Sequence, residues 1–275
     1  MLAFFGRLLE DKLRFSRSAD NPWGFFDREL TKNVQDSKEI FDCGPPDDPR
    51  HPVPWPPDAP RFHEAVLAYR EACEPLALRL TYTLAQCLGV SGDSIDRALS
   101  PSPDSFLRLN SYPTAPLAPG NRELKDDAPR PLGIHPHTDA GALTVLLQDD
   151  QPGLEVFHRG EWHLIEPRRG ALVVNIGDVV QVWSNDRYCA GLHRVRASVE
   201  RARSSAAFFL NPAREASYAP LPGTYGSDDP ARYRTISWRE FRSRRSAGDY
   251  ADIGQEVQIS DYRTAGTQAR AADAE

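Results

Sequence analysis

The sequence predicts an α+β fold in which helices come first, a jelly-roll core of short antiparallel strands follows, and a short helical tail ends the chain. Apolar residues recur at helical spacing through the N-terminal third. From Phe106 the pattern changes to period two and to β-branched residues, with turn signals between successive strands. Many short strands with regular turns are typical of an antiparallel barrel or sandwich of the jelly-roll type. Because helices and strands are segregated along the chain, the fold class is α+β.

We divide the chain of 275 residues into three parts. Residues 1–100 are predicted as a helical N-terminal region, residues 101–215 as the jelly-roll core, and residues 216–275 as a tail of helix and loop that packs on the core. In the first part, apolar spacing predicts helices over 1–18, 61–89 and 91–99. Residues 25–60 contain eight prolines and are predicted as a long irregular connection.

The core region is predicted to hold seven or eight strands. They span residues 107–112, 135–147, 154–158, 162–165, 171–176, 179–183, 191–195 and 203–210. Turn signals such as Pro152-Gly153 separate neighbouring strands, and residues 114–132 are predicted as a loop rich in Pro and Asp. In the tail, residues 237–244 are predicted as one or two turns of amphipathic helix.

Charge, hydropathy and cysteine content exclude several classes of protein. The formal net charge is −6 at pH 7 with both signs interspersed, so no nucleic-acid-binding face is expected. No run reaches the roughly 18 apolar residues of a membrane helix, and the N-terminus lacks the pattern of a signal peptide. The four cysteines are scattered without Cys-x-x-Cys spacing, so neither a zinc knuckle nor a disulfide framework is indicated. Reduced thiols fit a cytosolic protein, so we expect a cytoplasmic location without membrane or nucleic-acid partners.

Two imidazoles and a carboxylate form a candidate metal site. His137 and Asp139 would lie on one face of a strand, because side chains alternate with period two. On its own, such a pair is more often a structural histidine beside a surface aspartate. His193 lies at the end of a later strand, which a closed barrel could bring beside the first. Two histidines and one carboxylate with open positions are the ligand set of non-haem iron(II) oxygenases.

Polar pairs on two further strands form a candidate carboxylate site. Arg203 and Ser205 point the same way on one strand, and a guanidinium beside a hydroxyl suits a carboxylate bound by a bidentate, charge-assisted pair. Asn110 and Tyr112 share a face of another strand. Taken singly, Arg203 could form a surface ion pair and Tyr112 could be a core residue. The order and spacing of the whole set point instead to one site in a barrel.

Six segments of the sequence resemble the iron(II)- and 2-oxoglutarate-dependent dioxygenases, in the plant-type branch that includes isopenicillin N synthase and the flavonoid and gibberellin oxidases. The segments are residues 107–113, 137–149, 174–178, 184–185, 192–195 and 203–212. The resemblance covers roughly residues 20–262. It implies a double-stranded β-helix (jelly-roll) core, Fe(II) as the bound metal, and 2-oxoglutarate and dioxygen as co-substrates.

The resemblance also implies roles for individual residues. The implied iron ligands are His137, Asp139 and His193, and the implied 2-oxoglutarate-binding residues are Arg203, Ser205, Tyr112 and Asn110. Phe209 lies on the same strand face as Arg203, so it is expected to meet the substrate. His135 has the parity of a metal-facing residue, but a fourth protein ligand would close the open positions. It is therefore expected to form part of the cavity wall.

The implied activity is that of an oxidoreductase of secondary metabolism. It would hydroxylate, desaturate or cyclise a small-molecule metabolite and release succinate and CO2. Asp139 favours these outcomes, since the halogenases of this family lack the carboxylate. Two alternatives stay open: a non-catalytic or partner-dependent subunit of the same fold, and an oxidase like isopenicillin N synthase that does not use 2-oxoglutarate. A zinc hydrolase or a sugar-binding cupin would share the barrel and the histidines but would not need Arg203 and Ser205.

The N-terminal region is short by the standard of this family. Such enzymes begin with a strand-helix-strand unit ahead of a helix like residues 1–18, and that unit builds one wall of the fold. Without it, a sheet edge would be left exposed. We therefore expect the chain to form a homodimer or to pair with a different subunit.

Overall fold

The computed structural model describes residues 1–46, 48–114, 132–250 and 257–265. The helices are α1 (Leu2–Phe5), α2 (Leu9–Leu13), α3 (Pro60–Cys87), α4 (Gly92–Leu99), α5 (Asp178–Trp183) and α6 (Trp238–Tyr250), with a 3-10 helix at Ile259–Tyr262. The strands are β1 (Gly24–Phe26), β2 (Leu30–Thr31), β3 (Val34–Gln35), β4 (Glu39–Cys43), β5 (Phe106–Tyr112), β6 (Leu132–His137), β7 (Leu143–Gln148), β8 (Leu154–His158), β9 (Glu161–Leu164), β10 (Val173–Ile176), β11 (His193–Arg196), β12 (Arg203–Leu210), β13 (Ser217–Tyr218) and β14 (Ile236–Ser237).

Two sheets face each other across an interior cavity, to which both contribute lining residues. The main sheet has six strands in the order β1-β4-β5-β12-β7-β10, and the minor sheet has four in the order β6-β11-β8-β9. The strands of both sheets pair antiparallel. Helices lie before, between and after these strands. The predicted α+β class with a jelly-roll core and flanking helices is therefore confirmed.

The main sheet has one face toward helix α3 and the other toward the cavity. Along β5, Leu107 and Leu109 are buried in the apolar core that α3 shares, whereas Arg108 and Asn110 line the cavity. This alternation is the period-two pattern from which the strand was predicted. One face of α3 is buried against β7 and β12, which leaves the opposite face of these strands free for the site. Neither α3 nor another helix in the described residues is long and apolar enough to cross a membrane.

Residues 24–43 contain strands, so the prediction of an irregular connection over 25–60 was wrong in this part. β4 pairs with β5 in the main sheet, and β1 pairs with the far side of β4. Four of the five residues of β4 are buried, so the strand shows no alternation of polar and apolar residues that could reveal it. The description of residues 1–100 as helical is corrected accordingly. The boundaries of the three parts stay a prediction.

Three further elements differ from the prediction. Residues 1–18 form two short helices instead of one, because α1 ends at Gly6. Residues 135–147 are divided between β6 and β7 by a turn. Residues 179–183 lie in helix α5, and periodicity cannot assign so short and buried an apolar run to helix or strand. The other predicted helices and strands agree to within a few residues. Of the predicted loop over 114–132, residues 115–131 lie outside the described residues, and residue 132 begins β6.

Candidate active site

Two neighbouring strands form the floor of a cavity of about 370 Å³. β5 and β12 pair antiparallel, so that their residues lie opposite one another in four rows. From one end to the other, the rows are Tyr112–Arg203, Asn110–Ser205, Arg108–Ala207 and Phe106–Phe209. All eight side chains line the cavity. The polar rows therefore occupy one end of the floor and the aromatic row occupies the other.

The three predicted metal ligands converge at the wall of this cavity. Nε2 of His137 lies 3.8 Å and Nε2 of His193 lies 3.6 Å from Oδ1 of Asp139. One donor atom from each residue lies within 4.8 Å of the other two. Across the described ranges, no other group of three His, Cys, Asp or Glu residues has such spacing. Two imidazole nitrogens and one carboxylate oxygen in this arrangement can bind one divalent metal ion.

A β-bulge and a turn produce this convergence. His193 on β11 lies opposite His137 on β6, but Val195 lies opposite Ile134, which leaves one extra residue on β6. Asp139 lies beyond the end of β6, in the turn that leads to β7. The expectation that His137 and Asp139 meet through strand alternation is therefore corrected. The bulge precedes the first ligand and the turn carries the second.

Backbone carbonyls orient both imidazoles. Nδ1 of His137 donates to the carbonyl oxygen of His135 at 2.8 Å, and Nδ1 of His193 donates to that of Gly191 at 2.9 Å. A carbonyl oxygen only accepts, so the proton of each neutral ring lies on Nδ1. The lone pair of each ring is then on Nε2, the atom nearest to Asp139. This tautomer is the one that binds a metal through Nε2.

Two neighbours orient the carboxylate. Oδ2 of Asp139 accepts hydrogen bonds from Oγ1 of Thr144 at 2.6 Å and from Nδ2 of Asn175 at 2.8 Å. Oδ1 is thereby directed toward the imidazoles. Sequence reasoning did not identify Thr144 or Asn175 as site residues. A signal existed for Asn175, because it lies in the segment 174–178 that carries the family resemblance.

Burial and neighbouring charges set the protonation states of His137 and Asp139. Burial, together with the facing ring of His193, lowers the pKa of His137 to about 3. Burial by itself would raise the pKa of Asp139, but the two histidines and the hydrogen bonds from Thr144 and Asn175 lower it. At neutral pH, His137 is therefore neutral and Asp139 is ionised. These are the forms that bind a metal ion.

Arg203 provides an unsatisfied cation at the polar end of the cavity. Its side chain is buried, with 1% exposed. One terminal nitrogen donates to Oε1 of Gln148 at 2.8 Å, and the guanidinium lies 5.0 Å from the ring centroid of Tyr112. Nε and Nη1 are buried without a hydrogen-bond partner among the described residues. A buried guanidinium with unused donors is costly unless an anion binds to it, so the residues fit a carboxylate ligand here.

Ser205 and Asn110 form the next row of the floor after Tyr112 and Arg203. Nδ2 of Asn110 donates to Oγ of Ser205 at 3.4 Å, and both side chains are buried. Oδ1 of Asn110 is buried without a partner in the described part of the chain. The structure thus brings Arg203, Ser205, Asn110 and Tyr112 together on one surface, where the sequence predicted a single site.

Comparison with known proteins decides the family. Residues 103–212 match the family model of the 2OG-Fe(II) oxygenase superfamily. Jasmonate-induced oxygenase 4 of Arabidopsis thaliana is 32% identical over 246 residues, which cover 87% of this chain and 67% of that relative. The chain belongs to the 2-oxoglutarate- and iron(II)-dependent oxygenases. The predicted family is thereby confirmed.

Other members of this family are similar to the chain in sequence or structure. Gibberellin 3-beta-dioxygenase 1 of Pisum sativum is 34% identical over 192 residues, which cover 68% of this chain and 49% of the relative. The chain thus spans about half the length of that curated relative. A solved structure of JOX2 in complex with 2OG, Fe and JA has a TM-score of 0.80 and 28% identity, covering 94% of this chain and 74% of the other. The structure of the dioxygenase for auxin oxidation in rice has a TM-score of 0.70 and 26% identity, covering 95% of this chain and 82% of the other.

The aromatic end of the cavity lies at the opposite end of the floor from Arg203. Phe209 lines this end as predicted, and its ring stacks on Phe106 with 4.8 Å between centroids. Trp238 and Arg242 of α6 also line the cavity. Sequence reasoning missed these two residues because the tail shows no pattern that relates it to the core. The side chains of this end form a largely apolar wall, with guanidinium groups beside the Phe106 ring.

His135 does not form part of the cavity wall, contrary to the expectation from the sequence. Its ring Nδ1 lies 3.0 Å from Oδ1 of Asp36, a residue of the N-terminal region. The bulge on β6 lies between Ile134 and His137, so these strand residues do not keep the regular alternation from which the expectation came. The candidate metal site therefore consists of the three predicted ligands alone, and His135 instead contacts Asp36.

Proposed function

We propose that this chain is an iron(II)- and 2-oxoglutarate-dependent dioxygenase that oxidises a small-molecule metabolite and releases succinate and CO2. The observation that carries the proposal is the cavity that holds two sites at once. A set of two histidines and one carboxylate lies at its wall, and the unpaired donors of a buried arginine lie at its polar end. This combination is what an enzyme needs to bind a metal and a dicarboxylate side by side.

In this proposal, His137, Asp139 and His193 hold iron(II) and leave the remaining positions open. The bound metal would supply the redox chemistry that activates dioxygen, which protein side chains cannot provide. The protein orients the ligands through the carbonyls of His135 and Gly191, so that little reorganisation is needed when the metal binds. Apolar side chains of both sheets line the same cavity.

The polar end of the floor binds 2-oxoglutarate in this proposal. Nε and Nη1 of Arg203 donate to the carboxylate that lies farther from the metal, and Ser205 adds a hydroxyl. Tyr112 packs beside the guanidinium, and Asn110 lies one row closer to the aromatic end. An oxidase that does not use 2-oxoglutarate would leave the buried donors of Arg203 without a ligand. This cost favours the 2-oxoglutarate-dependent reaction over that alternative.

We propose a small, amphipathic substrate for the aromatic end of the cavity. Phe106, Phe209 and Trp238 offer flat apolar surface, and the guanidinium of Arg242 lies 5.9 Å from the ring centroid of Phe106. The names of the relatives refer to gibberellin, flavanone and jasmonate, which supports a small organic metabolite as the substrate class. Hydroxylation, desaturation and ring formation are all compatible with this wall. The cytoplasmic location, the role in secondary metabolism and the dimer stay predictions.

An anaerobic titration tests the proposed function. Iron(II) followed by 2-oxoglutarate should produce a visible charge-transfer band with one equivalent of each bound per chain. Admission of air with a panel of small metabolites should then release succinate. The His137→Ala variant should show neither the band nor succinate, since one of three metal ligands is removed. If the unsubstituted protein gave no band at saturating iron(II) and 2-oxoglutarate, the proposal would be wrong.

A further inference from the structure

The carboxylate of Asp36, in the N-terminal region, accepts a hydrogen bond from the strand that carries His137. We infer that Asp36 is a positioning residue of the metal site, which fixes the β-bulge on β6 and, through it, the imidazole of His137. This inference rests on the proposed metal site. It adds to that site a residue that belongs neither to the ligand set nor to the co-substrate-binding surface.

The bulge leaves a backbone group of β6 in need of a partner. The extra residue between Ile134 and His137 interrupts the ladder with β11. The backbone N–H of His135 donates to Oδ1 of Asp36 at 3.1 Å, and the ring Nδ1 of the same residue lies 3.0 Å from the same oxygen. One carboxylate oxygen therefore holds both the backbone and the side chain of the bulged residue. A hydrogen bond to a carboxylate is stronger than one between neutral groups.

Asp36 is itself held rigidly. Its side chain is completely buried. Oδ2 accepts a hydrogen bond from Oγ1 of Thr31 at 2.8 Å and lies 3.4 Å from Nζ of Lys38. Its backbone N–H donates to the carbonyl oxygen of Glu29 at 3.0 Å. Because each of these contacts is inside the hairpin of β2 and β3 or at its base, the carboxylate moves only if the hairpin moves.

The effect on the metal site passes through one hydrogen bond. The carbonyl oxygen of His135 accepts from Nδ1 of His137 at 2.8 Å. This bond sets both the tautomer and the orientation of the imidazole. A shift of the bulged residue would move that carbonyl and turn Nε2 of His137 away from the other ligands. The contacts thus run in an unbroken series from Thr31 through Asp36 and His135 to His137.

The same hairpin also contributes to the cavity wall. Leu30 and Thr31 line the cavity on the side that faces α6. The hydroxyl of Thr31 is the group that holds the second oxygen of Asp36. The hairpin therefore lines the cavity and, through Thr31 and Asp36, also supports a metal ligand.

Metal affinity measured on matched variants tests the inference. Cobalt(II) is titrated anaerobically into the full-length protein without 2-oxoglutarate or substrate, and its visible absorption reports the ligand geometry. Asp36→Ala should raise the dissociation constant of cobalt(II) by roughly 10- to 100-fold, the usual effect of removing a group that orients a metal ligand. Asp36→Asn retains an acceptor oxygen for the N–H of His135 and should restore part of the affinity.

Asp42→Asn is the matched control. Asp42 is as buried as Asp36 and lies on the adjacent strand β4, but its carboxylate pairs with Arg108 of the main sheet. This variant should lose thermal stability yet keep the dissociation constant of cobalt(II) within about twofold of the unsubstituted protein. Wild-type affinity in a folded Asp36→Ala protein, or a folded Asp36→Asn protein that binds cobalt(II) no better than Asp36→Ala, would overturn the inference. Failure of the unsubstituted protein to bind cobalt(II) would instead contradict the proposed function, and His137→Ala separates the two cases.

Discussion

Arg203 is the residue that most sharply separates the possible activities of this chain. Its guanidinium is buried, yet two of its nitrogens have no partner among the described residues. Gln148 and the ring of Tyr112 hold it in place without neutralising its charge. A permanently charged group in such a position is stable only if an anion is part of the working protein. The residue therefore argues for a carboxylate co-substrate independently of the metal ligands.

Replacement of Arg203 tests this role at the scale of one residue. Arg203→Ala should weaken 2-oxoglutarate by about 1.5–3 kcal/mol, the value of a hydrogen bond to a charged group, which is roughly a 10- to 100-fold rise in its dissociation constant. The affinity for cobalt(II) alone should not change. Anaerobic titration of the cobalt-loaded protein with 2-oxoglutarate gives the measurement. Arg201→Ala is the control, since Arg201 is an exposed residue paired with Asp150; equal affinities in the two variants would remove Arg203 from the site.

A helix or strand could be predicted from the sequence where one of its faces is buried and the other is exposed. Helix α3 buries one stripe along its length, so its apolar period is clear and it was found with nearly correct ends. β4 and α5 were missed or assigned wrongly because their residues are buried on all sides, which removes the periodic signal. The bulge on β6 was unpredictable for another reason. It depends on the pairing of β6 with β11 and on the contact with Asp36, and both are long-range.

A close approach between two elements fixes the turn that carries Asp139. Gly177 precedes α5 with an extended backbone, φ −103° and ψ 179°, which any residue can adopt. A Cβ at this position would lie 2.3 Å from the carbonyl oxygen of Gly141 and 2.8 Å from that of Asp139. The backbone N–H of Asp178 donates to the carbonyl oxygen of Asp139 at 2.8 Å across the same contact. The absence of a side chain at Gly177 therefore lets α5 hold the metal-ligand turn.

Gly177→Ala tests this contact at the scale of the element. The methyl group should force the turn away from α5, lowering the free energy of unfolding by about 1–3 kcal/mol, as overpacking usually does. The dissociation constant of cobalt(II) should rise as well, because Asp139 moves with the turn. Urea unfolding and the cobalt(II) titration give the two values. Gly226→Ala serves as the control, since a Cβ there meets no atom of the described residues within 4 Å; identical behaviour of the two variants would show that the contact does not position the turn.

At the scale of the whole molecule, buried charges join the N-terminal region to the jelly-roll core. Lys38 lies 2.5 Å from Glu29, and Arg108 of β5 lies 2.7 Å from the same carboxylate. Arg108 also forms a pair with Asp42 at 2.8 Å. No sequence pattern indicated this network, because its members are far apart in the chain and belong to residue types that are usually exposed. This pairing holds Glu29 and Lys38, which line the cavity, against the core.

The pH dependence of stability tests this network. Burial by itself would raise the pKa of Glu29, but Arg108 and Lys38 lower it from 4.5 to about 2. A carboxylate with a lowered pKa in the folded state stabilises the protein fully above its unfolded pKa, and this contribution is lost as the pH falls through the folded value. The Glu29→Gln variant, which cannot ionise, should therefore be less stable than the unsubstituted protein at about pH 6. The difference in unfolding temperature should shrink as the pH falls from about 4.5 toward 2.

Thermal unfolding of both proteins across this range gives the measurement, with Asp58→Asn at an exposed carboxylate as the control. A difference that stayed constant with pH would show that ionised Glu29 does not join the N-terminal region to the core.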